Sequence, residues 1–246
     1  MNNPKVLHEN NDLAVLDKPA GLVVHKVNPD DKQSTLVDFI TKKWPDIKKY
    51  SWQDPNRAGI VHRLDKDTSG IIIIAKNPKT QKFLQTQFKE KTIKKSYTLL
   101  CSGKTKDREK IITKTTRDSK AYNKQKMSLM SFSWQKGKTR EAITKYETIR
   151  YLYCNDQILS FVKAQIITGR THQIRNHFKF IDHPIIGDQM YYNKLSKQIS
   201  DKLGLHRQFL HSSTIEFNLP SGKLKKVESD LPSGLTKIIG KLKLKI

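Results

Sequence analysis

A chain of 246 residues is long enough to bury roughly 70% of its unfolded surface around one core, which excludes a miniprotein held by disulfide or metal staples. Lys and Arg outnumber Asp and Glu by 47 to 23, a formal charge of +24 spread from Lys5 to Lys245, so a polyanionic partner such as nucleic acid is expected. The only cysteines, Cys101 and Cys154, suggest neither a disulfide framework nor a Cys-based zinc site. No apolar stretch approaches the roughly 20 residues of a membrane span, and the start MNNPKVLHENND has no signal-peptide core, so a cytoplasmic, reducing setting is expected with no membrane partner.

Val6-Leu7 and Leu13 to Leu16 read as strands around the polar turn Glu9 to Asp12, and Lys18-Pro19-Ala20-Gly21 as a turn before a strand Leu22 to His25. Thr35 to Trp44 carries Leu36, Phe39 and Ile40 at helical spacing, and Thr80 to Glu90 carries Phe83, Leu84 and Phe88 likewise. Between them, Ile71 to Ala75 is aliphatic throughout, as a buried strand would be. From Tyr97 to Ile166 the pattern predicts short strands, including Tyr97 to Cys101, Ala142 to Ile149 and Leu159 to Ile167. The last residues, KLKLKI, read as an edge strand or a basic arm, and 235–246 as a basic tail. Repeats and Pro/Gly/Ser linkers are missing, so one α+β domain over 1–246 is expected, with a mixed, mainly antiparallel sheet flanked by helices and loops.

Part of the Lys excess is what an AT-biased genome would write, since only nine of the 47 basic residues are Arg. Each Arg is therefore worth locating, because a planar bidentate fork is what Lys lacks. Arg63 lies in GIVHRLDKDTSGIIIIAKN, residues 59–77. Asp65 to Gly70 opens like a calcium loop, but Lys76 stands where the bidentate Glu is required. Asp67-Thr68-Ser69-Gly70 has an aspartic-protease look, yet such enzymes need two aspartates sharing a proton and the chain has one copy. A plain turn explains Asp67 to Gly70 and leaves His62-Arg63-Leu64-Asp65 unexplained. A carboxylate at the mouth of a sheet can stay ionised and act as a nucleophile, provided a cation such as Arg within about 4–6 Å lowers its pKa.

Arg170 and Arg175 lie in ITGRTHQIRNHFKFIDHPIIGDQMYY, residues 167–192. Thr168-Gly169-Arg170 reads as a turn and Thr171 as an N-cap. The helix that follows sets Ile174, Phe178 and Ile181 on one face and His172, Arg175 and Lys179 on another. His172 and His177 lack a metal-pair spacing, and the competing reading of the pattern is an amphipathic helix with solvated basic residues.

Taken with LHENNDLAVLDKPAGLVVH, KKSYTLLC and FLHSSTIEFNLPSG, these two stretches resemble the RluA family of pseudouridine synthases, in the family's order, over residues 6–222. The resemblance implies the pseudouridine synthase fold with a central catalytic cleft. It further implies site-specific isomerisation of uridine to pseudouridine in structured RNA, a ribosomal or transfer RNA stem-loop. By position, Asp65 matches the family's catalytic aspartate, Tyr97 its active-site tyrosine, Arg175 the basic partner of the aspartate, Ile174 the apolar lining of the base pocket, and Arg63 the arginine that enters the RNA stack. His62, Arg170 and His172 are implied to shape the site or touch RNA. Whether Asp65 attacks C1′ of the sugar, assists a glycal route or adds to the base stays open. The resemblance implies no cofactor and no metal, and a monomer is expected. Many relatives carry an N-terminal S4 domain; here the β opening starts by Val6, so target choice is expected to rest on this domain, with Lys104 to Lys145 and the tail as candidate RNA-tracking surfaces. The alternative is a non-catalytic RNA-binding or ribosome assembly factor, which would not need Asp65, Tyr97 and Arg175 together.

Overall fold

The computed structural model describes residues 3–26, 32–117, 125–128 and 139–244. In chain order its strands are β1 (Lys5–Glu9), β2 (Leu13–Lys18), β3 (Ser69–Ala75), β4 (Lys94–Ser102), β5 (Arg108–Arg117), β6 (Gln125–Ser128), β7 (Arg140–Cys154), β8 (Gln157–Ile166), β9 (Leu210–Asn218) and β10 (Leu224–Glu228). The helices are α1 (Leu36–Lys43), α2 (Pro78–Glu90), α3 (Gln173–Phe180), α4 (Lys194–Leu203) and α5 (Ser233–Gly240). The class is α+β with a largely antiparallel sheet, as the sequence pattern predicts. The chain divides into two units, Met1–Lys94 with Ser212–Asp230, and Lys95–His211 with Leu231–Ile246.

In the first unit the strand order is β1-β2-β3-β9, with β10 on β9. Asn10 closes the β1–β2 turn by accepting the N–H groups of Asp12 and Leu13, both at 2.9 Å. β2 and β3 pair antiparallel from Leu13 opposite Ala75 to Lys18 opposite Gly70. Every residue of β3 is buried, which is why the run is aliphatic without alternation. Ile71, Ile73 and Ala75 pack with Leu13, Val15, Leu84, Ile215 and Phe217, under the partly buried Phe83 and Phe88 of α2. Asn77 caps α2 by accepting the Thr80 N–H at 2.8 Å, with Pro78 in its first turn. Thr35 and Asp38 form a reciprocal capping box at the start of α1.

The strand expected at Leu22 to His25 does not form; only Val23 makes an isolated bridge, to Thr35. The reason lies in its carbonyls. Leu22 O accepts the Lys18 ammonium at 2.9 Å, while Val23 O and Val24 O accept the N–H groups of Leu36 and Val37 at 2.8 and 3.2 Å. Acceptors committed to a lysine and to a helix N-terminus are withdrawn from a ladder.

In the second unit the order is β4-β8-β7-β5-β6, each neighbouring pair antiparallel. The expected short strand Ala142 to Ile149 is the middle of a strand that runs from Arg140 to Cys154. Its register slips between Thr148 and Arg150, and Ile149 at the bulge is 51% exposed, which masks the continuity in the sequence. Cys101 and Cys154 are free and buried. His177 is fully buried between Thr113 Oγ1 at 2.9 Å and Thr144 Oγ1 at 2.8 Å, and burial lowers its pKa to about 4. α5 occupies the first part of the basic tail, after which Lys243 exchanges backbone hydrogen bonds with Tyr153. Residues 245–246 and parts of 104–145 lie outside the described residues. Among the described residues, no helix is long and apolar enough to cross a membrane.

Candidate active site

Three of the expected site residues, His62, Arg63 and Asp65, and one unexpected one lie on the loop that enters β3 or the turn beside it. Ile73 N–H donates to His62 Nε2 at 2.9 Å, which fixes that nitrogen as the acceptor and puts the ring proton on Nδ1. The same ring stacks on Phe88 with centroids 4.6 Å apart. His62 is thereby a clamp between α2 and β3. Arg63 is exposed, Leu64 is buried beneath it, and Asp65 is half-buried. Thr68 N–H donates to the Asp65 carbonyl at 3.1 Å, closing a turn over Lys66 and Asp67. Gly70 then enters β3 at φ +111°, where a Cβ would overlap the Ser212 backbone oxygen and stand 2.6 Å from its nitrogen. Only glycine fits there.

The unexpected residue is Lys18, which sequence reasoning placed in a structural corner. It is fully buried, and its ammonium donates to the carbonyls of Pro19 at 2.9 Å, Leu22 at 2.9 Å and Lys66 at 3.0 Å. Gly21 N–H donates to the same Lys66 carbonyl at 2.9 Å. One buried cation thus joins the turn after β2 to the loop carrying Asp65. The nearest sequence signal was the Lys at the start of Lys-Pro-Ala-Gly, which by itself is only a turn.

The second unit carries the rest. Tyr97 is buried on β4 opposite Ala164. Two residues earlier, burial brings the Lys95 ammonium down to about 8, so this strand bears a second titratable side chain that the sequence reading passed over. The α3 segment departs from its predicted form in two ways. Its N-cap is His172, in the left-handed region at φ 52° and without a side-chain cap bond, not Thr171. The capping work falls to Gln173, whose Oε1 accepts the Arg170 N–H at 3.1 Å and the Thr168 hydroxyl at 2.7 Å. And Gln173 to Phe178 are all buried, so the polar face is not solvated.

Arg175 on that face is 7% exposed. Its Nε donates to Asp188 Oδ2 at 2.7 Å and an Nη to Oδ1 at 2.9 Å, a bidentate pair with a carboxylate that is itself buried. Asp188 Oδ1 also accepts the N–H groups of Met190 and Tyr191 at 2.8 and 2.9 Å. The tight turn at Gly187, φ +83°, leaves no room for a Cβ against the Arg207 carbonyl. Tyr191 lies under the guanidinium at 5.3 Å, and its hydroxyl is 3.2 Å from His172 Nδ1. The pair with Asp188 uses two of the five guanidinium N–H groups. Arg170 is engaged through Nε with the Glu141 carbonyl at 2.9 Å, and Ile174 is buried.

Comparison with known proteins agrees with this arrangement of motifs. The family described as RNA pseudouridylate synthase matches residues 12–180. The ribosomal large subunit pseudouridine synthase D of Neisseria meningitidis serogroup A is 32% identical over 97% of this chain and 61% of its own length. Synthase C of Pasteurella multocida is 31% identical over 97% of this chain and 68% of its own length. The solved structure of human RNA pseudouridylate synthase domain containing 1 superposes with a TM-score of 0.75 at 21% identity, covering 98% of this chain and 88% of that one, which shows a common fold. The chain belongs to the RNA pseudouridylate synthase family. Within it, the relatives and motifs place the chain in the RluA group. It spans about three fifths of the length of the Neisseria relative.

Proposed function

We propose that the chain isomerises uridine to pseudouridine in structured RNA, with Asp65 as nucleophile. The reaction breaks the N1–C1′ bond, forms C5–C1′, moves a proton to N1 and releases the hydrogen of C5; it has no net redox change, and in this reading no cofactor takes part. The observation that carries the proposal is the half-buried Asp65 carboxylate on a loop whose backbone is fixed from below by the fully buried Lys18 ammonium. A nucleophile gains from such fixation, because positioning lowers the barrier only when the reacting atoms are already aligned.

The other roles follow from chemistry and position. Arg175, dry and oriented by Asp188, is in this reading the basic residue that the family resemblance matches to the catalytic aspartate. The exposed Arg63 fills the gap left when the uridine is flipped out, a step of a few kcal/mol. Ile174 lines the base, and Tyr97 transfers a proton during rearrangement. The named D and C relatives act on the large ribosomal subunit, which makes ribosomal RNA the first target to examine and a transfer RNA stem-loop the second. We place the enzyme in the cytoplasm as a monomer. Mapping pseudouridine in total RNA from cells with and without the gene tests the proposal: one or a few uridines should lose modification and regain it on complementation. An unchanged map, together with no product from the purified chain on unmodified RNA, would refute it.

A further inference from the structure

On the first unit, an open basin of about 480 Å³ lies beside the loop carrying Asp65, lined by His25, Asp54, Arg57, Arg63, Gln81 and Gln85 among others. That volume is within the range of sites for small molecules and would hold one nucleotide. Two of its walls are acceptor walls. Gln81 Nε2 donates to the Ile60 and Arg57 carbonyls at 3.1 and 3.3 Å, and Gln85 Nε2 to Ile60 at 3.5 Å. A carbonyl only accepts, so both amides must turn their NH2 groups into the wall, which leaves their oxygens for a ligand. Asp54 adds a carboxylate, partly engaged by the Asn56 N–H at 3.0 Å and by Arg57 Nε at 3.3 Å.

His25 supplies the second observation. It is 5% exposed, and its Nδ1 is buried with no hydrogen-bond partner among the described residues. Burial first, then the charges of Arg57 and Arg63 against the opposing Asp54, hold its pKa below the ordinary histidine value. The ring is thus neutral near pH 7, with one donor and one acceptor, and suits a neutral polar partner better than an anion. A buried polar atom without a partner in the wall of a cavity calls for an explanation, and an absent occupant is one.

We propose that this basin is a second nucleotide subsite. It takes a nucleotide flanking the target uridine and prefers bases with an exocyclic amino group (adenine, cytosine or guanine) to uracil. This inference rests on the RNA-modifying reading above. The contiguity is covalent: Arg63, which lines the basin, is two residues from Asp65. The selectivity follows from the walls. Amide and carboxylate oxygens accept from amino groups, whereas uracil offers two carbonyls and a single N–H. Arg57 and Arg63, both exposed, are placed for the phosphates on either side. A base bound here is held by contacts independent of the chemistry at Asp65, which is how one modified uridine is told from others in similar loops.

Nuclear magnetic resonance on the full chain labelled with nitrogen-15, titrated separately with AMP, CMP, GMP, UMP and inorganic phosphate, tests the subsite without turnover. The side-chain amide resonances of Gln81 and Gln85, assigned by their Ala variants, should shift with AMP, CMP or GMP at an affinity roughly 5- to 150-fold tighter than with UMP, the discrimination expected of one well-made base contact. Equal shifts from all four nucleotides, shifts reproduced by phosphate alone, or no shifts at all would each overturn the proposal. In turnover, Gln81→Ala with Gln85→Ala should raise KM for ribosomal RNA from cells lacking the gene by a similar factor and leave kcat within a few-fold. An unchanged KM would count against the subsite. A wild-type chain that shows the nucleotide preference but makes no pseudouridine would sink the functional reading and leave the subsite standing; activity without the preference would do the reverse.

Discussion

Asp65 and Arg175, the carboxylate and the cation that the proposed chemistry requires, are held by buried polar groups in two different ways. In the first unit the proposed nucleophile is left half-buried, and what is fully buried is a lysine gripping the backbone around it. In the second the candidate side chain, Arg175, is itself buried, and a carboxylate grips it directly. The first arrangement keeps a charge in contact with water while removing its freedom; the second takes a charge out of water and compensates it locally, since a dry ion is tolerated only when paired and hydrogen-bonded. The loop is expected to respond to mutation in rate, and the helix in stability.

The largest effect should follow the half-buried carboxylate. Asp65→Asn should abolish single-turnover pseudouridine formation while filter binding to RNA stays within a few-fold, because phosphate contacts dominate such affinity. Turnover by the Asn variant at a normal rate would remove Asp65 as the nucleophile. Tyr97→Phe comes next. If the phenol moves a proton, about 10²–10⁴-fold in rate is lost with binding kept, and RNA tritiated at uracil C5 should retain its label on a base already rearranged. Prompt tritium release would leave Tyr97 as a stacking ring and shift attention to Lys95, whose pKa near 8 suits a proton acceptor.

On the buried side, Asp188→Ala should lower unfolding free energy by about 3–5 kcal/mol, the usual result of leaving one member of a buried pair alone. Urea unfolding measures this directly; a loss under about 1 kcal/mol would mean that Arg175 finds water or another acceptor. Lys18→Met keeps the aliphatic stem and removes the three carbonyl contacts. It should cost about 2 kcal/mol, less than Asp188→Ala, yet reduce turnover more than its stability loss explains. Equal ranking of the two variants in both assays would erase the contrast. The smallest effect belongs to His177. Its folded pKa of about 4 lies below the unfolded value of 6.5, so between those limits the unfolded chain binds the extra proton and stability falls as pH is lowered. From about pH 7 to 5.5 the loss should be about 1.2 kcal/mol, less in His177→Gln.

Where local pattern and tertiary environment agreed, the sequence could be read directly: the capped helices α1 and α2 and the aliphatic β3 stand where the periodicity and turn residues put them. It was opaque where a side chain far along the chain decided the outcome. Leu22 to His25 looks like a strand, but the Lys18 ammonium and the α1 N-terminus take its carbonyls. Asp188 reads as part of a turn, and only the packing of α3 makes it the support of Arg175. β5, written REKIITKTTR, and α4, written KLSKQISDKL, carry too few apolar residues to announce themselves. His25 ends the stretch LHENNDLAVLDKPAGLVVH with no role assigned to it there; that its Nδ1 has no partner among the described residues is visible only in three dimensions.

Both native cysteines are buried, and burial raises the Cys101 thiol further from reactivity. The wild-type chain is therefore already a quiet background for thiol labelling. A Gln85→Cys variant would present one exposed sulfhydryl at the rim of the basin, and a fluorophore attached there would report in real time when RNA docks, with no need to rebuild the protein free of cysteine.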